Sequence, residues 1–409
     1  VPGLYEAFGL PEFDDLYLKY ENNKKIPNSK IRAQTLFMDL LKERAETGRI
    51  YIMNIDHCNT HSSFKDKVYM SNLCQEITLP TTPLQHIDDK NGEIALCILS
   101  AINLGLIKEK DELEELCDLS VRALDEIIDY QEYPVEAAKK STEARRSLGI
   151  GYIGLAHYLA KNKVKYNDKE ALKLVDEVTE AFQYYLLKAS NTLAQEKGKC
   201  DWFDKTKYAD GILPIDTYKK DLDSIIKRKL SYDWNTLRQD IKQHGLRHST
   251  LSAQMPSESS SVVSNATNGV EPPRDYLSIK KSKKGTLKQI VPDYNRLKNF
   301  YTLLWDMPSN EGYINVISVM QKYFDQAISG NWSYNPENYK DGEVPTSVMA
   351  NDLLTTYKLG WKTSYYQNTY DAKADVEEPS HPVGWHDDVK EEPEKIIVDD
   401  QEDCEACAI

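Results

Sequence analysis

Helical and extended patterns alternate along this chain, and that alternation is what most limits its fold. Apolar residues recur at helical spacing in five stretches: 30–47 (which Gly48 ends), 107–130, 168–197, 312–329 and 346–359. Extended segments are predicted at 49–54, at 71–79 and at the start of 362–371, and the stretch 91–105 begins with a turn signal before a short apolar run that holds Cys97. The DHCNTHSS stretch at 56–63 is predicted to be a loop. Helices that alternate with short strands indicate an α/β fold.

The bulk composition limits the class of protein. The chain has 409 residues, 40% of them hydrophobic, which is enough for a large core. No apolar run approaches the roughly 20 residues of a membrane span, and VPGLYEAFGL at the start lacks the features of a signal peptide. Seven widely spread cysteines, an odd number, do not suggest a disulfide framework. We therefore expect a cytoplasmic protein without a membrane partner.

The negative charge is concentrated at the C-terminal end. The whole chain has a net charge of -14, and residues 371–409 contribute 14 acidic and 3 basic side chains. That end is also rich in proline and charge, so we predict a disordered acidic tail at 372–409 after a folded body at 1–371. A nearly neutral body lacks the basic footprint of a nucleic-acid-binding protein, although a local phosphate site stays open.

The stretch SNLCQEITLP places an amide, a thiol and a carboxylate at alternate positions. In an extended segment Asn72, Cys74 and Glu76 would share one side of the backbone. A lone cysteine in such a segment is more often an inert core residue than a reactive one. However, Asn72 and Glu76 are costly to bury unless they bind something. The pattern therefore favours a hydroxyl-bearing ligand, such as a sugar, beside a thiol.

Three further motifs have both an ordinary and a functional interpretation. In MPSESSS, Pro256, Ser257, Glu258 and Ser259 form a helix start that is either a simple cap or a phosphate site. In YYQN, a regular strand would send Tyr365 and Tyr366 to opposite faces, one to the core and one to the surface. The terminal CEAC pairs Cys404 with Cys407, and on a mobile tail this dithiol suits thiol–disulfide exchange better than metal binding.

Together these stretches resemble the large, catalytic subunit of class I ribonucleotide reductase, in its bacterial and phage branch. The segments that carry the resemblance run through most of the chain: RIYIMNIDHCNTHS, SNLCQEITLP, GEIALCILSAINLG, RRSLGIGYIGLAHYLAKN, WFDKTKYADGILPIDTYKKDLD, GLRHSTLSAQMPSESSSVVSNATNGVEPPR, KTSYYQNT and the terminal cysteine pair.

The resemblance implies a role for each residue of the SNLCQE stretch. Cys74 would form the thiyl radical that takes the 3′ hydrogen of the ribose. Glu76 would bind the 3′ hydroxyl and act as general base, and Asn72 would help the 2′ hydroxyl to leave. Cys97 would be one of the two cysteines that reduce the radical intermediate and end as a disulfide.

The same resemblance implies roles for the other motifs. Tyr365 and Tyr366 would relay the radical to Cys74, with Arg49 beside them. The tail cysteines would pass electrons from thioredoxin or glutaredoxin to the active-site disulfide, although many bacterial relatives have four residues between them instead of two. The substrate diphosphate would bind at the following residues: Pro256, Ser257, Glu258, Ser259 and Ser260.

The implied fold is the second half of a ten-stranded α/β barrel, with Cys74 on a finger loop inside it. Members of the family run to roughly twice this length, on the loose scaling of domain number with size. The first half of the barrel, the nucleotide-sensing domain and the cysteine partner of Cys97 have no counterpart in the matched stretches. We therefore expect a separate chain to supply the N-terminal half. A metal-containing small subunit would supply the radical, docking near 346–359, so that this chain itself holds no cofactor or metal.

Other interpretations stay open at this point. The chain is alternatively a truncated piece, a non-catalytic remnant or an assembly module of the reductase. The glycyl-radical enzymes share the barrel and the thiyl chemistry. Their C-terminal glycine loop has no counterpart here, whereas the tyrosine pair and the tail dithiol are present.

Overall fold

The computed structural model describes residue 1 and residues 3–282 and 285–371, and it confirms the α/β prediction. Side chains at position 110 and at 280–287 lie outside that description, as does the whole predicted tail with Cys404 and Cys407.

The described α-helices, labelled α1 to α13 in chain order, are as follows: Glu12–Glu21, Ala33–Thr47, Ile55–Thr60, Lys110–Tyr130, Glu136–Arg145, Leu155–Lys161, Lys169–Lys197, Pro214–Thr217, Trp234–His244, Glu258–Val263, Tyr294–Leu297, Glu311–Gln321 and Thr346–Lys358. Short 3₁₀ turns connect them at these places: Leu104–Leu106, Phe203–Lys205, Lys207–Asp210, Lys220–Ser224, Lys298–Phe300, Leu304–Asp306, Pro336–Asn338 and Lys340–Gly342.

The described strands, labelled β1 to β8, are short: Ile52–Met53, Ile98–Asn103, Leu148–Ile153, Leu277–Ser282, Gly285–Ile290, Trp332–Tyr334, Thr363–Ser364 and Gln367–Thr369. They pair in twos. β2 runs parallel to β3 and β6 parallel to β8, whereas β1 with β7 and β4 with β5 are antiparallel.

Two isolated parallel bridges extend the order of β2 and β3. Ile150 in β3 bridges Ser252, and Gln254 bridges Ile328. The extended backbone at 250–254 therefore lies beside β3, and the extended backbone at 326–330 lies beside 250–254. The series continues to Tyr365, whose backbone N–H donates to Gly330 O at 2.9 Å. Over the residues that the structure describes, this series does not close into a barrel.

Helices cover this series on one side and form most of the core. α7 packs against α4, α9 and α12. β3 is buried along its whole length, and its Ile150 and Tyr152 join Val121, Phe182 and Phe324 in the main apolar cluster. Strands that are buried on both faces read as nearly continuous apolar runs, which is what the β3 sequence shows. Of the helices in the described part of the chain, none is both long and apolar enough to cross a membrane.

Helix predictions from periodicity were largely confirmed. The predicted 30–47, 107–130, 168–197 and 346–359 correspond to α2, α4, α7 and α13 within a few residues, and α2 ends at Gly48, whose φ of 70° is left-handed. The predicted 312–329 helix was too long, because α12 ends at Gln321. The chain then turns so that the Asp325 carboxylate accepts from the backbone N–H groups of Leu251 and Ser252.

Predictions for short segments were less accurate. The strand expected at 49–54 is reduced to Ile52–Met53. The loop expected at 56–63 was wrong, because most of it forms the short helix α3. Tertiary contacts hold α3 in place: the Asn54 side chain donates to Trp361 O at 2.8 Å, and His57 Nδ1 lies 2.8 Å from the same oxygen.

Candidate active site

The stretch that carries Asn72, Cys74 and Glu76 is a turn, so the extended segment predicted at 71–79 was wrong. The backbone N–H of Gln75 donates to Asn72 O at 3.1 Å, and Gln75 has a φ of 68°. Nevertheless the turn brings the two polar side chains together, because Asn72 Nδ2 donates to Glu76 Oε1 at 2.8 Å. Cys74 and Glu76 are buried, whereas Asn72 is exposed, so the expected cost of burying this asparagine does not arise.

The Gln75 side chain holds the turn in place by hydrogen bonds to residues outside the turn. A left-handed conformation is unfavourable for a residue with a side chain, so something must hold it. With its amide nitrogen facing them, the Gln75 side chain donates to Ile52 O in β1 and Ser364 O in β7, each at 3.2 Å. The turn is therefore attached to the antiparallel pair formed by those two strands.

Glu76 is a buried carboxyl group with neutral hydrogen-bond partners. Its side chain contacts Asn72 through Oε1 and Ser329 Oγ through Oε2, the latter at 3.1 Å. Burial raises the pKa of Glu76, and its own backbone N–H, Asn72 and Ser329 oppose that rise. A raised pKa brings a carboxyl group closer to what general acid–base chemistry requires than an ordinary pKa does.

Tyr365 connects the tyrosine pair to Cys74. Its hydroxyl donates to Cys74 Sγ at 3.3 Å. The ring centroids of Tyr365 and Tyr366 are 4.2 Å apart, so the expectation that they face opposite sides of a strand was wrong. Both tyrosines lie in the break between β7 and β8, where the alternation of a regular strand does not apply. The result is a continuous path of contacts from Tyr366 through Tyr365 to the sulfur.

A third tyrosine packs against both members of the pair. The Tyr51 ring lies 4.6 Å from Tyr365 and 5.2 Å from Tyr366, measured between centroids. β1 and β7 pair Ile52 with Ser364, so continuing their register by one residue puts Tyr51 opposite Tyr365. Burial, together with the Tyr366 hydroxyl, raises the pKa of Tyr51, and the Tyr365 hydroxyl opposes that rise. The sequence analysis missed this residue, and the RIYIMN segment alone gave no signal for it.

Two arginines border the tyrosine cluster. The predicted Arg49 is exposed, and its charge acts on Tyr51 by lowering that phenol's pKa against the rise due to burial. Arg44, which the sequence analysis missed, is buried and donates to Ile50 O, with a longer contact of 3.5 Å to Tyr366 O. Arg44 therefore ties the start of β1 to the tyrosine pair.

Cys97 lies just before β2, next to the turn. Gly149 leaves room for it, because a Cβ there would come within 2.9 Å of the sulfur. Gln326 Nε2 contacts Cys97 Sγ at 3.6 Å and donates to Leu148 O at 2.9 Å, while its Oε1 accepts from Thr78 N at 3.2 Å. Burial raises the pKa of the Cys97 thiol, and the Gln326 amide opposes the rise. Gln326 thus joins the predicted redox cysteine to the segment that follows Glu76.

The predicted phosphate segment includes the start of a helix, which begins two residues after Pro256. α10 starts at Glu258, and Ser257 is the preceding residue, with its hydroxyl turned back to Met255 O at 2.9 Å. Ser257 is buried, whereas Ser259 and Ser260 are half-buried. Within the part of the chain that the structure describes, Ser257, Ser259 and Ser260 make no hydrogen bond to Glu76.

The phosphate segment is nevertheless linked to the turn through residues 326–331. The backbone N–H of Ser329 donates to Gln254 O at 2.9 Å, two residues before Pro256. Asn331 Nδ2 donates to Glu271 Oε1 at 2.6 Å, and Asn331 Oδ1 accepts from Tyr366 N at 3.2 Å. One extended segment therefore contacts the turn, the redox cysteine, the tyrosine pair and the strand that leads to the phosphate segment.

The remaining described cysteines are core residues, and Cys58 belongs to the small apolar cluster against which Cys97 packs. Cys58, Cys117 and Cys200 are buried free thiols, and burial raises the pKa of Cys58 to about 12 and that of Cys200 to about 12. Among residues 1, 3–282 and 285–371, no cluster of His, Cys, Asp and Glu is arranged to hold a metal ion. The predicted tail pair, Cys404 and Cys407, lies outside the described residues.

Comparison with known proteins identifies the relatives of this chain. The family model described as "Ribonucleotide reductase, barrel domain" matches residues 2–367. The ribonucleoside-diphosphate reductase subunit alpha of Haemophilus influenzae is 60% identical over 383 residues, covering 92% of this chain and 51% of that protein.

Two further relatives show the same coverage. Ribonucleoside-diphosphate reductase 1 subunit alpha of Escherichia coli is 57% identical over 387 residues, covering 93% of this chain and 51% of that protein. The subunit alpha of enterobacteria phage T4 is 42% identical over 366 residues, covering 88% of this chain and 48% of that protein. The chain thus spans about half the length of the curated relatives it matches.

Proposed function

Since the chain belongs to the ribonucleotide reductase family, we propose that it is the C-terminal half of a class I catalytic subunit. In this proposal it reduces ribonucleoside diphosphates to 2′-deoxyribonucleoside diphosphates, together with a separate N-terminal half and a small subunit whose metal centre generates the radical. The single observation that carries the proposal is the contact of 3.3 Å between Tyr365 Oη and Cys74 Sγ.

The first step moves a hydrogen atom along the tyrosine contacts. A radical that reaches Tyr365 takes the hydrogen from the Cys74 thiol, which leaves a tyrosine O–H and a thiyl radical. The centroid distances of 4.2–5.2 Å among Tyr51, Tyr365 and Tyr366 keep these phenols in contact, and Tyr365 itself is buried. Burial of Cys74 and Tyr365 keeps water away while the radical is present.

The second step acts on the ribose. The Cys74 thiyl radical takes the 3′ hydrogen, and Glu76 accepts the proton of the 3′ hydroxyl while Asn72 supports departure of the 2′ hydroxyl as water. Cys97 and a cysteine of the N-terminal half then supply two electrons and two hydrogens and become a disulfide: one hydrogen, as a proton, completes the departing water, and the other is added to the 2′ carbon. Finally, Glu76 returns its proton to the 3′ oxygen and Cys74 returns its hydrogen to the 3′ carbon and regains the radical, so that one dithiol is oxidised for each water released.

Binding and regeneration involve the outer parts of the chain. We assign the substrate diphosphate to the start of α10, where helix N–H groups and the hydroxyls of Ser257, Ser259 and Ser260 supply donors. We assign reduction of the disulfide to Cys404 and Cys407, which receive electrons from thioredoxin or glutaredoxin. We place this reaction in the cytoplasm, where these redox proteins and the nucleotides meet.

The test is a ribonucleoside diphosphate reduction assay with a dithiol reductant and an allosteric nucleotide present. The chain is assayed alone, and then with its N-terminal half and the small subunit. We expect deoxynucleotide product only in the full mixture. A mixture that assembles, as judged by size-exclusion chromatography, but forms no product would leave the remnant or assembly-module alternative.

Two variants test the proposed radical path. Cys74→Ser and Tyr365→Phe should each abolish turnover, since the first has no abstractable S–H and the second has no phenolic O–H, while assembly persists. Cys117→Ala is the matched control, because this thiol is buried between α4 and α7 and contacts Phe182 O. Retained turnover in Cys74→Ser, or loss of turnover in the control alone, would contradict the assignment.

A further inference from the structure

Ser329 touches the two parts of the turn that the chemistry requires. Its hydroxyl lies 2.5 Å from Cys74 O and 3.1 Å from Glu76 Oε2, and the residue is 7% exposed. Two residues earlier, the backbone N–H of Ala327 donates to Glu76 O at 3.0 Å. The backbone hydrogen bond of Ala327 therefore attaches this segment to the turn without the Ser329 hydroxyl. The hydroxyl is not needed for that attachment and can have a separate role.

A hydroxyl group has one hydrogen, but Ser329 faces two oxygen atoms. Both contacts suit donation by the hydroxyl, which can serve only one of them at a time. We assign the hydrogen to the shorter contact, with Cys74 O, in the state in which Ser329 Oγ offers only lone pairs to Glu76 Oε2. That arrangement is favourable when Glu76 is protonated and donates to Ser329. When Glu76 is ionised, the carboxylate is the stronger acceptor and draws the hydroxyl hydrogen to itself. The Cys74 carbonyl then loses its partner.

The surroundings of Glu76 make its protonation state responsive to this one contact. Neutral groups provide its hydrogen bonds, and burial already raises the pKa of this carboxyl group. The titratable groups around it in the described residues are Cys97 before β2, Tyr365 after β7 and Asp325 on the segment that holds Ser329. Cys97 feels the charge of both Glu76 and Asp325.

One more titratable group lies behind the same segment. Lys362 is fully buried, its Nζ donates to the backbone oxygens of Asp325 and Gln326 at 2.8 Å, and burial lowers its pKa to about 7. Any measurement of pH dependence at this site must therefore distinguish the titration of Lys362 from that of Glu76. Substitution of Glu76 itself provides that separation.

We propose that Ser329 is a positioning residue that couples the protonation state of Glu76 to the backbone of the turn that carries Cys74. Protonated Glu76 donates to Ser329, which holds the Cys74 carbonyl. Ionised Glu76 takes the Ser329 hydrogen bond and releases that carbonyl. The proposal rests on the proposed function, because it gives this coupling a use: Glu76 gains a proton from the ribose at the moment when Cys74 must be held against the substrate.

The first experiment measures turnover of the assembled, pre-reduced enzyme in a single reaction cycle as a function of pH. In Ser329→Ala the Glu76 carboxylate loses a donor, so we expect the acid limb of the profile to move to higher pH and turnover below neutrality to fall roughly tenfold. Ser329→Thr keeps a hydroxyl and should restore the wild-type profile. Ser333→Ala, four residues along the same segment and half-buried, should leave it unchanged.

The second experiment does not need turnover, and it uses the wild-type chain. Cysteine labelled with ¹³C at its backbone carbonyl lets infrared spectroscopy follow the Cys74 carbonyl during a pH titration. We expect a pH-dependent shift of that band to higher frequency as Glu76 ionises, and no such shift in Glu76→Gln or Ser329→Ala. Since Lys362 is intact in both variants, a shift that persists in them belongs to Lys362 and overturns the proposal.

The outcomes separate this inference from the proposed function. A wild-type assembly without turnover contradicts the proposed function, and the infrared titration then still decides the coupling. An active assembly in which Ser329→Ala has the wild-type profile, or loses turnover equally at every pH, overturns the positioning role. If Ser329→Ala does not fold, the comparison of wild type with Glu76→Gln in the infrared titration decides alone.

Discussion

Two buried carboxylates in this chain have opposite surroundings. Asp125 in α4 is 0% exposed and is met by Arg146 at 2.7 Å, Arg247 at 3.1 Å and Lys197 at 3.3 Å. Glu76 is 2% exposed and is met by the Asn72 amide and the Ser329 hydroxyl. A buried charge is normally paired. Asp125 follows that rule, whereas Glu76 depends on neutral donors.

The difference shows how to tell a structural carboxylate from a reactive one. Burial alone would raise the pKa of Asp125, but His248 and Arg146 outweigh it and hold that pKa well below its usual range. Burial raises the pKa of Glu76, because its neutral partners compensate only partly. The first group stays ionised and stabilises the helical layer. The second has a raised pKa, which is the direction that the proposed role as a general base requires.

The largest expected effect is a loss of turnover that occurs on substitution of Glu76 but not on substitution of Asp125. In the assembled enzyme, Glu76→Gln should lower turnover by roughly 10² to 10⁴-fold, since the amide keeps the shape but cannot accept a proton. Asp125→Asn should leave turnover per folded molecule unchanged. Reduction assays normalised to the folded fraction check this prediction. Comparable losses of turnover in both variants would mean that the two carboxylates do not differ in function.

The second prediction concerns stability. Arg146→Met leaves Asp125 with fewer partners, and it also removes the Arg146 contacts with Asp129 at 2.7 and 2.9 Å. Breaking a buried pair from one side costs about 3–5 kcal/mol of the free energy of unfolding. Urea denaturation at neutral pH measures the loss. A change under about 1 kcal/mol would mean that Arg247 and Lys197 suffice to compensate the charge.

The third prediction is a pair of opposite pH dependences, measured as free energies of unfolding from about pH 8 to about pH 3. Because the folded-state pKa of Glu76 is raised, its ionisation destabilises the fold at high pH. Glu76→Gln should therefore be more stable than wild type at about pH 8, and the advantage should vanish on acidification towards the ordinary glutamate pKa of about 4.3.

Asp125 should behave in the opposite way. Its folded-state pKa is lowered, so its stabilisation is present above the ordinary aspartate pKa of about 3.9 and is lost as the pH falls through the folded value. Burial lowers the pKa of its neighbour His248 to about 4, so acidification below about 6.5 weakens the same cluster. Parallel pH dependences of Glu76→Gln and Asp125→Asn, each relative to wild type, would contradict the comparison.

The smallest effect concerns an exposed ion pair. Lys188 Nζ lies 2.6 Å from Glu114 Oε1, but both side chains are about half exposed. Lys188→Met should change the free energy of unfolding by less than about 1 kcal/mol, because solvent screens such pairs. The same urea titration measures it. A loss as large as that of Arg146→Met would show that burial does not set the value of an ion pair in this helical layer.

Periodicity in the sequence predicted the long helices because their packing is repetitive. α4 and α7 bury apolar residues at helical spacing along most of their length, and Gly48 marks the end of α2. The resemblance to known reductases gave the positions of Cys74, Glu76, Tyr365 and Cys97. The contacts among them could not be read from local patterns.

The errors have a common physical cause, which is long-range contact. The turn at 72–76 was predicted to be extended, whereas Gln75 keeps a left-handed φ through hydrogen bonds to Ile52 and Ser364. Ser329, Gln326 and Tyr51 were missed because each acts through partners far away in the sequence. No residue-type pattern in the DQAISGN stretch indicates the contacts of Gln326 and Ser329.

The anchoring of Gln75 has a consequence for protein synthesis. One of its two acceptors, Ser364, is translated about 290 residues after it. Until the ribosome has delivered β7, the turn with Cys74 and Glu76 lacks the strand pair to which it is attached. The geometry of this turn is therefore among the last features to form on a nascent chain, and a prematurely terminated product that ends before β7 would carry Cys74 and Glu76 without the strand pair to which their turn is attached.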